Sequence, residues 1–142
     1  MTTRVFILFL IFSNLSNAQL AFEDVATQVG VNYSYGDSEY GGGVSFADFN
    51  NDGWDDITYA TEDGAQIYFF ENNNGVFNLV TLNGISNTYK TKQVIWIDYD
   101  NDGDKDLFVT AIEGINEFYR NDGGMNFTNI SSTIGFFQTD LF

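Results

Sequence analysis

The feature that most constrains this sequence is an acidic loop of nine residues that occurs twice, fifty residues apart. The first copy covers residues 48–56 and the second covers residues 98–106. In both copies, side chains with oxygen atoms stand at positions 1, 3, 5 and 9, and a glycine follows the third of them. Two carboxylates about 4 Å apart repel each other by about 4 kcal/mol at an effective dielectric constant of 20. A loop of this kind therefore favours a bound cation.

Calcium is the cation that this set of oxygen atoms fits best. Ca²⁺ takes six to eight oxygen ligands at about 2.3–2.6 Å, whereas Mg²⁺ keeps more of its water. We therefore predict two Ca²⁺ sites, whose side-chain ligands are Asp48, Asn50, Asp52 and Asp56 in the first loop and Asp98, Asp100, Asp102 and Asp106 in the second. The main-chain carbonyls of Trp54 and Asp104 are expected to add one oxygen each. Clusters of Asp, Asn and Gly also form solvated turns, but two copies in one register favour the metal.

The residues after each loop indicate a β-strand rather than the helix of an EF-hand. An EF-hand loop closes with a glutamate at position 12, and here that position is Tyr59 or Val109. Apolar and β-branched residues follow both loops, which is typical of strands. Four short strands are expected in each repeat, at 44–47, 57–61, 66–71 and 76–81 and again at 94–97, 107–111, 117–120 and 126–130.

The two loops resemble the calcium loops of FG-GAP repeats, the β-propeller repeats of integrin α-subunits, and those of bacterial VCBS-like proteins. The resemblance rests on F-A-D-F-N-N-D-G-W-D-D-I at 46–57 and W-I-D-Y-D-N-D-G-D-K-D-L at 96–107. Two shorter phrases also recur, F-F-E-N at 69–72 as F-Y-R-N at 118–121 and G-V-F at 75–77 as G-M-N-F at 124–127. The resemblance implies an all-β fold of two tandem four-stranded β-propeller blades, with calcium roles for both loops.

The sequence predicts four segments: a signal peptide at 1–18, a lead-in at 19–43, a first repeat at 44–91 and a second repeat at 92–142. Within the lead-in, residues 22–25 resemble the outer strand of a blade, which could close a ring. A closed propeller usually has four to eight blades. We therefore expect a partial propeller, with the following blade truncated and the remaining blades in sequence beyond residue 142.

Residues 1–18 have the pattern of a secretory signal. Arg4 precedes a short apolar run, and small residues ending at Ala18 form a cleavage site. The apolar run is too short to span a membrane. We therefore expect a secreted or cell-surface protein without a membrane span.

Charge and composition narrow the classes of function. The 142 residues include 20 acidic and 5 basic side chains, and neither His nor Cys occurs. The lack of a basic surface argues against nucleic acid as a partner, and the lack of His and Cys excludes histidine-based triads and thiol catalysis. We expect a non-enzymatic scaffold that binds an extracellular protein or a glycan. The alternative is the propeller part of a polysaccharide-active extracellular enzyme.

Six aromatic residues in the predicted strands are expected to pack between blades, because strand aromatics usually face another sheet. The alternative for them is a platform that stacks on sugars. These residues are Phe46, Tyr59, Tyr68, Trp96, Phe108 and Phe118.

Overall fold

The protein is described by a computed structural model, which covers residues 20–36, 42–112 and 114–135. Within these ranges it forms two antiparallel four-stranded sheets and one short helix. The helix α1 is Ala26–Val29. The first sheet contains β1 (Val44–Ala47), β2 (Asp56–Tyr59), β3 (Tyr68–Asn73) and β4 (Val76–Val80). The second contains β5 (Thr91–Ile97), β6 (Asp106–Ala111), β7 (Glu117–Asn121) and β8 (Phe127–Asn129).

Each sheet is a blade in which the strands lie side by side in chain order. All eight predicted strands are present, and their ends differ from the prediction by a few residues. The all-β fold with two four-stranded blades is therefore confirmed. Each acidic loop connects the first two strands of its blade, and its last residue, Asp56 or Asp106, is also the first residue of the second strand.

The core lies between the two blades. Phe69 and Val80 are paired across β3 and β4, so they share the face of the first blade that is turned toward the second. The second blade meets this face with Leu107, Tyr119 and Phe127, all of which are buried. Stacking one blade on the next therefore buries the apolar face that neither sheet could bury alone.

Trp96 confirms the expectation that aromatics pack between blades. Its ring stacks on Phe49 of the first repeat with the ring centroids 5.1 Å apart, and it meets Phe127 at 5.9 Å. Its Nε1–H donates to Thr58 Oγ1 at 2.9 Å, across the two sheets. In the first repeat the matching residue is Phe46, whose side chain is 64% exposed. The same position is covered in the second blade and open in the first.

For the other five aromatics this expectation is wrong. Tyr59 and Tyr68 lie on the outer face of the first blade, where they pack against Phe70. Phe108 and Phe118 pair with each other on the outer face of the second blade. Side chains alternate between the two faces of a strand. With one neighbouring blade in the described part of the chain, only one face of each sheet lies between blades.

The lead-in packs against the first blade. The segment that links the two repeats packs in the same way against the second blade. Gly30 and Gly84 both have a positive φ, at 93° and 89°. A Cβ at Gly30 would collide with the main-chain oxygen of Phe77, and one at Gly84 would collide with that of Phe127. Phe77 and Phe127 hold the same place in the two repeats. Both glycines therefore allow a connecting segment to approach the outer strand of a blade closely.

The outer strand expected at 22–25 is not found, because residues 20–36 contain α1 and no strand. A strand needs a neighbouring edge to satisfy its main-chain hydrogen bonds, and these residues pair with no blade. The predicted signal peptide at 1–18 and the chain after residue 135 lie outside the described residues. In the ranges that the structure covers, no helix has the length and apolar character needed to cross a membrane.

Replacing Trp96 by alanine should reduce the free energy of unfolding by about 3 kcal/mol, because the ring fills the space between the blades. The matched control is Phe46→Ala at the equivalent exposed position, with an expected change within about 0.5 kcal/mol. Urea unfolding followed by circular dichroism measures both. Equal losses for the two variants would contradict this account of the core.

Candidate metal centre

The first residue of each loop organises the turn that follows it. In the first loop, Asp48 Oδ1 accepts a hydrogen bond from the main-chain N–H of Asp52 at 3.0 Å, and its Oδ2 accepts one from Gly53 at 2.8 Å. Asp52 Oδ1 then accepts from the N–H of Trp54 at 2.9 Å. The glycine has a φ of 94°, a conformation that other residues rarely adopt. The turn therefore needs Gly53 at this place.

The second loop repeats these contacts. Asp98 accepts from the N–H groups of Asp102 at 3.1 Å and Gly103 at 3.2 Å, and Asp102 accepts from Asp104 at 2.9 Å. The φ of Gly103 is 96°. The two loops thus share one fold, as their common spacing predicted.

The last residue of each loop is a buried carboxylate that joins three parts of the blade. Asp56 belongs to β2, and its two oxygens accept from the N–H of Phe49 in the loop at 3.0 Å and of Asn72 in β3 at 2.8 Å. Asp56 is fully buried. Burial is the main cause that raises the pKa of this carboxyl; the two hydrogen bonds act in the opposite direction, and the nearby carboxylates of Asp52 and Asp48 raise the pKa further.

Asp106 has the same arrangement in the second blade. It accepts from the N–H of Tyr99 at 3.0 Å and of Asn121 at 2.8 Å, and it is almost completely buried. Burial again raises its pKa most, and the charges of Asp100 and Asp102 add to the rise. In both loops a buried acid therefore lies beside other acids, an arrangement that a cation would stabilise.

Three of the predicted ligands of the second loop come together. One carboxylate oxygen from each of Asp98, Asp100 and Asp106 lies within 4.8 Å of the other two. Two oxygens bound to one Ca²⁺ at about 2.3–2.6 Å can be at most about 5 Å apart. The three oxygens therefore lie within the spacing that two ligands of one calcium ion can have.

The first loop lacks this trio because Asn50 replaces the second carboxylate. Its Nδ2 donates to Asp52 Oδ2 at 3.1 Å and to Glu71 Oε1 at 3.0 Å, and its Oδ1 accepts from the N–H of Asp52 at 3.1 Å. Glu71 stands in β3 next to Asn72. The amide nitrogen of Asn50 is thus held by acids, which leaves its oxygen as the atom that can bind a metal.

The predicted ligands at position 7 differ from the others. The side chain of Trp54 is 48% exposed, and Asp104 Oδ1 accepts a hydrogen bond from Asn51 of the first loop at 3.2 Å. The surroundings of these two side chains therefore differ from those of the other carboxylates in the same loops. This arrangement is compatible with the expected role of these two residues, which was assigned to their main-chain carbonyls.

Sequence reasoning missed three residues that support the loops. The side chain of Asn72 donates to the carbonyl of Asp55 at 2.9 Å, and that of Asn121 donates to the carbonyl of Lys105 at 3.4 Å. Both asparagines belong to the short phrase that recurs in the two repeats. This recurrence is the sequence feature that could have identified them. Glu71 is different, because the same phrase has Arg120 at its place in the second repeat.

Comparison with known proteins agrees with this geometry. Residues 48–109, which include both loops, match the model of a family described as an FG-GAP-like repeat. This part of the chain is similar to an FG-GAP-like repeat. The resemblance to FG-GAP repeats is therefore confirmed, while the finer resemblance to VCBS-like proteins stays a prediction.

A curated relative of this chain is Cartilage acidic protein 1 of Xenopus tropicalis. The two sequences are 35% identical over 94 residues, which are 64% of this chain and 14% of the relative. The chain therefore aligns with a small part of that much longer protein.

Removing the buried carboxylate should destabilise the chain even without metal. Asp56→Ala leaves the N–H groups of Phe49 and Asn72 without their acceptor, and each such loss costs about 1–3 kcal/mol. We expect the free energy of unfolding, measured by urea titration in excess chelator, to fall by at least about 2 kcal/mol. The control Asp55→Ala removes an exposed neighbouring acid, and its expected change is within about 0.5 kcal/mol. A wild-type value for Asp56→Ala would show that these hydrogen bonds contribute nothing.

Proposed function

We propose that this FG-GAP-like chain is a secreted or cell-surface calcium-binding repeat module that acts as a structural or interaction scaffold and not as an enzyme. The observation that supports it most is the convergence of Asp98, Asp100 and Asp106 within 4.8 Å, in a loop whose fold is repeated in the other blade. Its partner would be an extracellular protein or a glycan. The signal-like sequence at 1–18 supports export, and millimolar calcium outside cells suits modules with dissociation constants of about 10⁻⁴–10⁻³ M.

Each loop would hold one calcium ion. The first ion would be bound by Asp48, Asn50, Asp52, Asp56 and the carbonyl of Trp54, and the second by Asp98, Asp100, Asp102, Asp106 and the carbonyl of Asp104. A bound ion supplies positive charge that offsets the repulsion among these acids. The carboxylates themselves connect the loop to the second strand of the blade, so occupancy should stiffen the scaffold.

Two calcium ions should bind per chain, and they should stabilise it. Ligand binding to the folded state alone adds about 2.7 kcal/mol at a hundredfold excess over the dissociation constant. For a chain of this size, each occupied site should therefore raise the melting temperature by roughly 10 °C. Calorimetry on the chelator-stripped protein measures the stoichiometry, and thermal unfolding with calcium or with EDTA measures the shift.

The control for this experiment is the double variant Asp52→Ala/Asp102→Ala, which removes the third ligand of both loops. It should bind no calcium at the concentrations used, and EDTA should leave its melting curve unchanged. A stoichiometry near zero for the wild type would overturn the calcium proposal. Cleavage of polysaccharides by the full chain would overturn the non-enzymatic part.

The first loop should be the weaker site, and its contacts show how to strengthen it. Asn50→Asp alone would set a new carboxylate against Glu71, whose Oε1 now lies 3.0 Å from the amide. The pair Asn50→Asp/Glu71→Arg instead copies the second repeat, which has Asp100 and Arg120 at these places.

We expect this pair of changes to tighten calcium binding at the first loop by about tenfold, or 1.4 kcal/mol. The measurement is calorimetry in an Asp102→Ala background, which leaves the first loop as the one intact site. Asn50→Asp alone is the control and should gain clearly less. If the pair binds no more tightly than its background, Asn50 is not a ligand.

A further inference from the structure

The two loops are in direct contact through one side chain. Asn51 of the first loop donates its Nδ2 to the carbonyl oxygen of Gly103 and to Asp104 Oδ1, both at 3.2 Å. Both acceptors belong to the second loop and therefore to the other blade. Asn51 lies between Asn50 and Asp52, two of the proposed ligands of the first loop.

The backbone explains why this side chain leaves its own loop. Asn51 has a φ of 61°, in the left-handed region that asparagine tolerates better than most residues. In the second loop Asn101 holds the same place with a φ of 62°. Among the described residues the structure shows no hydrogen bond of the Asn101 side chain, and no further loop lies beside it. The two asparagines are thus alike in backbone and differ in their contacts.

Asn51 acts on groups that position ligands of the second loop. The Gly103 carbonyl belongs to the same peptide group as the N–H of Asp104, which donates to Asp102 Oδ1 at 2.9 Å. The N–H of Gly103 itself donates to Asp98 Oδ2 at 3.2 Å. Partners of this kind, one step from the metal ligands, orient the ligands and affect metal affinity. Asn51 therefore holds the part of the second loop that orients Asp98 and Asp102.

We propose that Asn51 couples the two calcium loops, so that an ion in either loop tightens binding in the other. This inference rests on the proposed calcium function. An ion in the first loop would order the two ligands on either side of Asn51 and so hold Asn51 in place. Asn51 would then hold the turn of the second loop in place through its two hydrogen bonds. The effect must be reciprocal, because coupling between two binding sites is the same in both directions. One hydrogen-bonded contact corresponds to a coupling factor of about two to ten.

The coupling factor can be measured from a closed set of binding constants. Calorimetry on the wild-type chain gives the product of its two calcium association constants. Asp102→Ala leaves the first loop intact, and Asp52→Ala leaves the second, so these variants give the two single-site constants. The coupling factor is the wild-type product divided by the product of the single-site constants. We expect about two to ten.

The decisive variant is Asn51→Gly, which removes the side chain while glycine still tolerates the positive φ. Combined with the two single-site changes, it should give a coupling factor near one. Asn101→Gly makes the same chemical change at the place without an inter-loop contact, and it should keep the wild-type factor. Asn51→Asp is a second test, because a carboxylate there would face Asp104 and should bring the factor to one or below.

Circular dichroism on every variant confirms that the sheets are intact, so that affinities are compared between folded chains. Two bound ions with a wild-type factor of one would overturn the coupling and leave the calcium function standing. A factor unchanged in Asn51→Gly, or lost equally in Asn101→Gly, would also overturn the role of Asn51. Absence of calcium binding to the wild type would overturn the proposed function and the coupling with it.

Discussion

The structure of each blade depends on a buried carboxylate that accepts two main-chain hydrogen bonds. Asp56 connects the loop at Phe49, its own strand β2 and the next strand at Asn72, and Asp106 does the same in the second blade. A single side chain thus closes the loop and sets the position of two strands. Burial, with the neighbouring acids, raises the pKa of this carboxyl despite the two hydrogen bonds, so the stabilising geometry carries an electrostatic cost.

A second constraint is that the blades stack front to back. The outer face of the first blade carries the same repeat positions as the face of the second blade that lies in the core, as Phe46 and Trp96 show. When two units pack through unlike faces, each unit keeps one face free for a further unit, so the pair is not a closed assembly. At the position of Phe46 and Trp96, burial therefore depends on a neighbouring blade and not on aromatic character alone.

This distinction explains which features could be predicted from the sequence. The strands and the acidic loops depend on local patterns, alternation and turn residues, which the sequence shows directly. The exposure of Phe46 and the missing strand at 22–25 depend on neighbours, which no local pattern reports. The contacts of Asn51 and Glu71 are also non-local, since each joins residues at least twenty positions apart in the chain. For the site, the spacing predicted that the two loops share one fold, but not which residues outside the loops donate hydrogen bonds to them or accept hydrogen bonds from them.

The two loops have diverged in a way that keeps the number of nearby acids similar. The first loop has an amide at Asn50, and β3 brings the carboxylate of Glu71 to it. The second loop has the carboxylate of Asp100, and β7 has Arg120 at the equivalent place, paired with Asp122. The first repeat thus has an acid in the neighbouring strand where the second repeat has one in the loop. Because Coulomb energy falls with distance, an acid outside the loop attracts a cation less than one inside it. The two loops can therefore share one fold and still differ in affinity.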